Sequence, residues 1–75
     1  MLTCPRCDGQ GFVLKAQIIK TNEMVFICDE CDATWFALEA IYSQPWVDFG
    51  TYMEGKGISP TWDELKILSD ATSQR

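Results

Sequence analysis

Two cysteine pairs, each with a two-residue gap, constrain this chain more than any other feature. Cys4 pairs with Cys7, Cys28 pairs with Cys31, and twenty residues separate the two pairs. A two-residue gap lets one tight turn direct both sulfurs at the same ion, and a β-hairpin is an economical way to return the second pair to the first. We therefore predict one tetrahedral site with four thiolate ligands and structural Zn²⁺ as its cofactor.

The size of the chain makes such a site important. Seventy-five residues form one small domain, which buries too little surface to be strongly stabilised by its apolar core alone. Zinc binding can supply on the order of 10 kcal/mol to a domain of this size. Because four thiolates leave no position for water, we expect the metal to stabilise the fold rather than to activate a substrate.

Other uses of the four cysteines remain open from the sequence. Iron in a rubredoxin-like site would use the same ligands, and the chain has no histidine to change the ligand set. Disulfides would need an oxidising compartment, but no secretory signal and no apolar run of membrane-spanning length is visible. A redox pair of the thioredoxin type would not need two CxxC motifs. We expect a cytoplasmic location and no membrane partner.

Hydrophobic periodicity predicts strands between and after the cysteine pairs. Residues 12 to 20 alternate, and the predicted buried positions are Phe12, Leu14, Ala16 and Ile18. Residues 24 to 27 form a second apolar, β-rich run that leads into Cys28. Residues 34 to 43 fit a strand or a helix; we favour a third strand that ends near Leu38, before a break at residues 43 to 45.

The C-terminal half contains helix signals. Asp48 is placed to cap a short helix that contains Phe49, Tyr52 and Met53 and ends at Gly55 and Gly57. Thr61 fits the cap of a last helix, with an apolar stripe formed by Trp62, Leu65 and Leu68. Residues 70 to 75 are expected to fray.

These elements predict a small α+β fold. Zinc would staple a three-stranded antiparallel β-ribbon, which is followed by one or two short α-helices. We expect a single domain over residues 1 to 75, with the ribbon and its metal site in residues 1 to 38 and a helical C-terminal extension in residues 46 to 69.

Residues 4 to 36 resemble the zinc-ribbon superfamily. The segment Cys4-Pro5-Arg6-Cys7-Asp8-Gly9 is similar to a zinc knuckle of rubredoxin type, and with Gly11 it also resembles one repeat of the cysteine-rich region of J-domain co-chaperones. The second knuckle departs from both patterns, because Asp32 and Ala33 follow Cys31 without a glycine. The ribbon resemblance implies three strands and four cysteine ligands, but no particular function.

Charge and size suggest a partner. Eleven acidic residues against six basic ones give a formal net charge of −5, and four thiolates around one dication would take it to about −7. The whole chain loosely resembles small acidic bacterial immunity proteins, which implies a non-enzymatic protein-binding module that masks a basic toxin, such as a nuclease. The residues proposed for that partner surface are Asp29, Glu30, Asp32, Trp46, Asp63 and Glu64.

The alternative function is that of a zinc-ribbon protein that binds nucleic acid or takes part in transcription. Aromatic side chains on a ribbon can stack on bases. A phosphate-binding surface needs clustered Lys and Arg, however, and the ribbon contains only Arg6, Lys15 and Lys20. We therefore expect no nucleic-acid partner. With no nucleophile beside a base and no phosphate loop, we also expect no catalytic residues and no small-molecule substrate.

Overall fold

The computed structural model of the chain describes residues 2 to 70, and only the backbone of the last of these. It contains one antiparallel sheet of five strands in the order β4-β3-β2-β1-β5. The strands are β1 Val13–Ile18, β2 Glu23–Cys28, β3 Ala33–Trp35, β4 Val47–Asp48 and β5 Leu65–Asp70, and the helix is α1 Phe49–Gly55. Short 3₁₀ turns lie at Leu38–Ala40 and Trp62–Glu64. The α+β class is confirmed, but the sheet has five strands where three were predicted.

The hairpin of β1 and β2 has buried side chains on both of its faces. Ala16 pairs with Val25 on one face, and Val13 pairs with Cys28 on the opposite face. Phe12, predicted to start the buried row, instead lies 36% exposed and bridges to Thr3 just before β1. The alternation of β1 was therefore predicted correctly for Ala16. Val13 is also buried, but on the opposite face, which the sequence pattern had assigned to polar residues.

Two apolar clusters lie on these opposite faces. The metal-side cluster contains Cys4, Val13, Phe26, Cys28, Ala33, Trp35 and Ile41. The helix-side cluster contains Ala16, Ile18, Val25, Ile27, Phe49, Met53, Ile58 and Leu65. Successive residues of β2 alternate between the clusters, so this one strand contributes to both.

Helix α1 covers the helix-side face, as its sequence signals predicted. The Asp48 carboxylate accepts hydrogen bonds from the backbone N–H and the hydroxyl of Thr51, both at 3.0 Å. Phe49 and Met53, one helical turn apart, are fully buried against the sheet. The helix ends at Gly55, and Gly57 adopts a φ of 72°, which a glycine tolerates without steric cost.

The prediction of a last helix was wrong. After the 3₁₀ turn the chain forms β5, which pairs with the outer edge of β1, with Leu65 opposite Ile18. The Thr61 side chain makes no capping hydrogen bond, and Leu68 is 38% exposed rather than part of a buried stripe. Unpaired backbone groups on the edge of β1 favour a strand here, because each ladder hydrogen bond satisfies a donor and an acceptor at once. The predicted helical extension, residues 46 to 69, therefore contains two strands and α1.

Residues 34 to 43, for which the sequence fitted either a strand or a helix, contain part of a short strand and a 3₁₀ turn. The third strand is confirmed but ends at Trp35, and the chain then forms the 3₁₀ turn Leu38–Ala40 before the irregular residues 43 to 46. Of the end predicted to fray, residues 71 to 75 lie outside the described part of the chain, and residue 70 belongs to β5. No helix within residues 2 to 70 is long and apolar enough to cross a bilayer.

Candidate metal centre

The four cysteine sulfurs converge at one end of the hairpin. All four Sγ atoms lie within 4.8 Å of one another, and all four cysteines are free thiols. Cys4 Sγ is 3.7 Å from Cys31 Sγ, and Cys7 Sγ is 3.7 Å from Cys28 Sγ. The predicted convergence is confirmed, and the cluster can hold a metal ion with sulfur ligands.

The first knuckle is shaped by a compact turn. The Gly9 N–H donates to the Cys4 carbonyl at 2.9 Å, and the Gln10 N–H donates to the Cys7 carbonyl at 3.1 Å. Asp8 and Gly9 have φ angles of 54° and 81°, so the chain reverses through two left-handed residues. This reversal brings the knuckle back to the start of β1, where Cys4 N–H donates to the Gly11 carbonyl at 3.0 Å.

Gly11 is required by close packing rather than by its backbone angles. A Cβ atom at this position would lie 2.6 Å from Cys28 Sγ and 2.8 Å from Glu30 Cβ. Real side chains do not approach so closely, so any larger residue would displace one of the sulfurs. In the sequence Gly11 stood out through the resemblance of the first knuckle to a co-chaperone repeat, whereas the folded chain shows that it makes room for a sulfur 17 residues away.

The second knuckle directs backbone donors at a sulfur. The N–H groups of Glu30 and Cys31 point to Cys28 Sγ at 3.4 and 3.5 Å. Such donors stabilise the thiolate form, which is the form that binds a metal. The knuckle closes through Asp32, whose φ of 61° turns the chain into β3.

The protonation of the metal-free thiols differs across the cluster. Burial raises the pKa of Cys28 to about 12, although the N–H groups of Cys31 and Glu30 oppose this. Burial also raises the pKa of Cys4. Burial acts to raise the pKa of Cys31 too, but hydrogen bonds, with the Ala33 N–H foremost, outweigh it and lower that pKa to about 7. Because ligation needs thiolates, metal binding must release protons, and acid must weaken it.

Arg6 links the two knuckles, a role that its isolated position in the sequence did not reveal. Its guanidinium donates to the Cys31 carbonyl at 3.1 Å and lies 4.1 Å from the ring centre of Trp46. Both partners are distant in sequence, so no local pattern could have identified them. Trp46, proposed as a partner residue, is 41% exposed beside this guanidinium.

The carboxylates proposed for the partner surface differ in the contacts that they make. Asp29 and Asp32 have structural partners: the Asp29 carboxylate accepts from the Phe12 N–H at 2.9 Å, and that of Asp32 accepts from the indole N–H of Trp62 at 3.2 Å. Glu30 and Asp63 are exposed. Glu64 forms an ion pair with Lys20 at 3.9 Å. Their role toward a partner stays a prediction.

Chemically, the arrangement offers four thiolates supplied by three pieces of chain: the first knuckle, the end of β2 and the turn into β3. A metal at this point would cross-link all three. Comparisons with protein-family models, with curated proteins and with solved structures each found no match to this chain.

Proposed function

We propose that the four cysteines bind zinc, in a structural role. The spacing of the sulfurs supports this. A tetrahedron with zinc–sulfur bonds of about 2.3 Å has edges of about 3.8 Å. Two sulfur pairs are separated by 3.7 Å and all separations lie within 4.8 Å, so zinc binding would shorten the longer edges by at most about 1 Å.

Zinc in this position would stabilise the sheet by joining segments far apart in sequence. Cys4 and Cys28 are buried in the metal-side cluster, next to Trp35 and Val13. Binding free energy at such a site is also folding free energy, because the unfolded chain does not present the four thiolates together. Iron with four thiolates has similar geometry, and experiment distinguishes the two metals.

The metal is tested by native mass spectrometry of the purified chain, refolded with equimolar zinc and iron(II) under reducing conditions. We expect one zinc per chain and four deprotonated cysteines. A stoichiometric iron species with thiolate-to-iron absorption bands would replace zinc in the proposal. A folded chain without any stoichiometric metal would remove the structural role altogether.

We further propose that the chain is a non-enzymatic domain that binds a basic protein. The observation that carries this is the charge of its exposed surface. Within residues 2 to 69, the exposed carboxylate residues are Asp8, Asp29, Glu30, Glu39, Asp48, Glu54 and Asp63. Among the basic residues, Lys20 and Lys56 already form ion pairs with Glu64 and Glu23.

An acidic surface of this kind accelerates association with a basic protein and repels acidic ones. The narrower form of the proposal is an immunity-type protein that masks a basic toxin, such as a nuclease. It is supported by the same charge and by the small size of the chain.

The test is affinity capture with the zinc-loaded chain, followed by reconstitution with the purified partner and calorimetry at two salt concentrations. We expect one basic protein to bind, with an affinity that falls as salt rises. Oligonucleotides are titrated in parallel. Tight, salt-dependent oligonucleotide binding without any protein partner would favour the nucleic-acid alternative instead.

A further inference from the structure

The loop between β3 and β4, residues 36 to 46, exposes an unusual amount of apolar surface. Phe36, Leu38, Tyr42 and Trp46 are 45%, 42%, 61% and 41% exposed. The 3₁₀ turn within the loop buries none of its own residues. Four large, partly exposed apolar side chains within one short loop of a small acidic protein indicate a binding surface rather than a solvated loop.

This loop is anchored rather than free. Ile41 is buried in the metal-side cluster, and the Trp35 indole N–H donates to the Gln44 carbonyl at 3.4 Å. The Tyr42 hydroxyl donates to the Thr3 carbonyl at 2.7 Å, which joins the loop to the strand bridge beside the first knuckle. A surface fixed by such contacts loses little conformational entropy when a partner binds.

A groove runs beneath the loop. Its volume is about 370 Å³, and its apolar walls come from Trp35, Phe36, Ala40, Pro45 and Val47. Among the residues that the structure describes, Glu39 is the one charged residue that lines it. A second concavity of about 350 Å³ shares Trp35 and Gln44 with the groove but is lined by Arg6. The Glu39 carboxylate lines the apolar groove, and the Arg6 guanidinium lines the neighbouring concavity. A ligand with one charged end would therefore bind in one preferred orientation.

We propose that this groove binds a segment of the basic partner protein in which a large apolar side chain is flanked by Lys or Arg. The apolar side chain fills the space against Trp35 and Val47, and the cation contacts Glu39. The proposal rests on the binding function proposed above and assigns that function to residues outside the second knuckle. Charge complementarity selects this occupant, because Glu39 attracts a cation at the groove while Arg6 repels one at the neighbouring concavity.

A second copy of this chain is a poorer occupant. Each copy has a net charge of −5, so two copies repel each other before any apolar contact forms. A buried apolar anchor with charged residues around it is also the usual arrangement of energetically dominant interface residues.

The experiment uses a random twelve-residue peptide library displayed on phage and the zinc-loaded full chain as the target. Enriched peptides are synthesised, and their binding is mapped by amide chemical shifts. We expect peptides with a large apolar residue flanked by Lys or Arg, and shifts concentrated at residues 36 to 47. No enrichment, enrichment of acidic peptides, or shifts concentrated at the knuckles or β5 would overturn the proposal.

Two matched charge reversals sharpen the test. Glu39→Lys changes the groove, and Glu54→Lys makes the same change at an exposed position of α1 that does not line the groove. We expect Glu39→Lys to weaken peptide binding at least about tenfold and Glu54→Lys at most about threefold, because only the first removes a local contact. Ser43→Trp, which fills the groove from an exposed position, should abolish binding while the fold is retained. Equal effects of the two reversals would contradict the proposal.

The groove and the binding function can fail separately. If a captured basic partner binds wild type, Glu39→Lys and Ser43→Trp equally, the binding function stands and the groove assignment is wrong. If no protein partner is retained but basic, apolar peptides bind at the groove, the groove stands and the proposed natural function is wrong.

Discussion

The two faces of the sheet are closed in different ways. On the helix-side face, Phe49 and Met53 of α1 belong to the same apolar cluster as Ala16 and Val25 of the sheet. On the metal-side face no helix of comparable length covers the sheet within residues 2 to 70, and buried Cys4 and Cys28 lie among the core residues instead. One face is therefore covered by an apolar helix, whereas the other carries the cysteine cluster, where the proposed metal ion would add a cross-link.

The difference shows how a short chain can close a sheet on both sides. A second covering helix would need more residues, whereas the proposed metal ion would hold the two knuckles together with only four side chains. The strands β1 and β2 contribute side chains to both faces. If the packing on one face were lost, these strands would be disrupted and the buried side chains of the other face would be exposed. We expect one cooperative unfolding transition despite the two modes of stabilisation.

The largest effect should come from removal of the metal. Cys28→Ser, or a strong chelator, should remove on the order of 10 kcal/mol and unfold both faces together. Hydrogen exchange of β2 and α1 amides provides the measurement. If α1 remained protected after chelation, the two faces would be independent, and the metal would be a local feature only.

On the other face, Phe49→Ala should destabilise the fold by about 3 to 5 kcal/mol through loss of a fully buried aromatic side chain. Because the cysteines are untouched, the variant should still bind one metal ion per chain. Denaturant unfolding and native mass spectrometry of the same sample give both quantities. Loss of metal from folded Phe49→Ala would show that α1 positions the ligands, which would break the distinction between the faces.

A smaller effect is expected at the contact between Gly11 and the cluster. Gly11→Ala places a Cβ 2.6 Å from Cys28 Sγ and should weaken metal binding by about 10- to 100-fold. Gly55→Ala is the matched control, since a Cβ there meets nothing within 4 Å. A competition titration with a chromophoric chelator measures both variants. Equal affinities for Gly11→Ala and wild type would show that the cluster relaxes around the added methyl group.

The smallest effect concerns the polar edge of the helix-side face. The Tyr52 hydroxyl donates to Glu23 at 2.7 Å, and this hydrogen bond is the main cause that lowers the pKa of Glu23, helped by the Thr21 hydroxyl. A lowered pKa means that the stabilisation is present above the ordinary value of 4.5 and is lost as pH falls through the folded value.

Tyr52→Phe keeps the ring but removes the donor, so the pKa of Glu23 should rise toward its ordinary value, with a stability loss of about 1 kcal/mol or less. A carboxyl-detected NMR titration of wild type and variant measures the shift directly. An unchanged Glu23 pKa in Tyr52→Phe would assign the effect to Thr21 and Lys56 instead.

Several features were predictable because their causes are local. The CxxC spacing brings two sulfurs together through a single turn, and the cap at Asp48 needs only the backbone three residues later. The alternation in β1 placed Ala16 and Ile18 correctly, since strand periodicity is a property of the backbone. The predicted helix over Trp62 and Leu65 failed because helical spacing in a short segment is compatible with a strand as well.

By itself, the sequence determined the cysteine cluster, the β1–β2 hairpin and the capped helix α1, because each depends on residues close together or on a repeated spacing. The tertiary structure decided that residues 65 to 70 pair with the edge of β1, that Arg6 joins Cys31 to Trp46, and that the loop over residues 36 to 46 leaves a groove. These outcomes depend on which distant segments of the chain meet. Strand pairing at an edge and burial of a side chain stabilise the fold only after the two partners have come together, so local sequence does not reveal them.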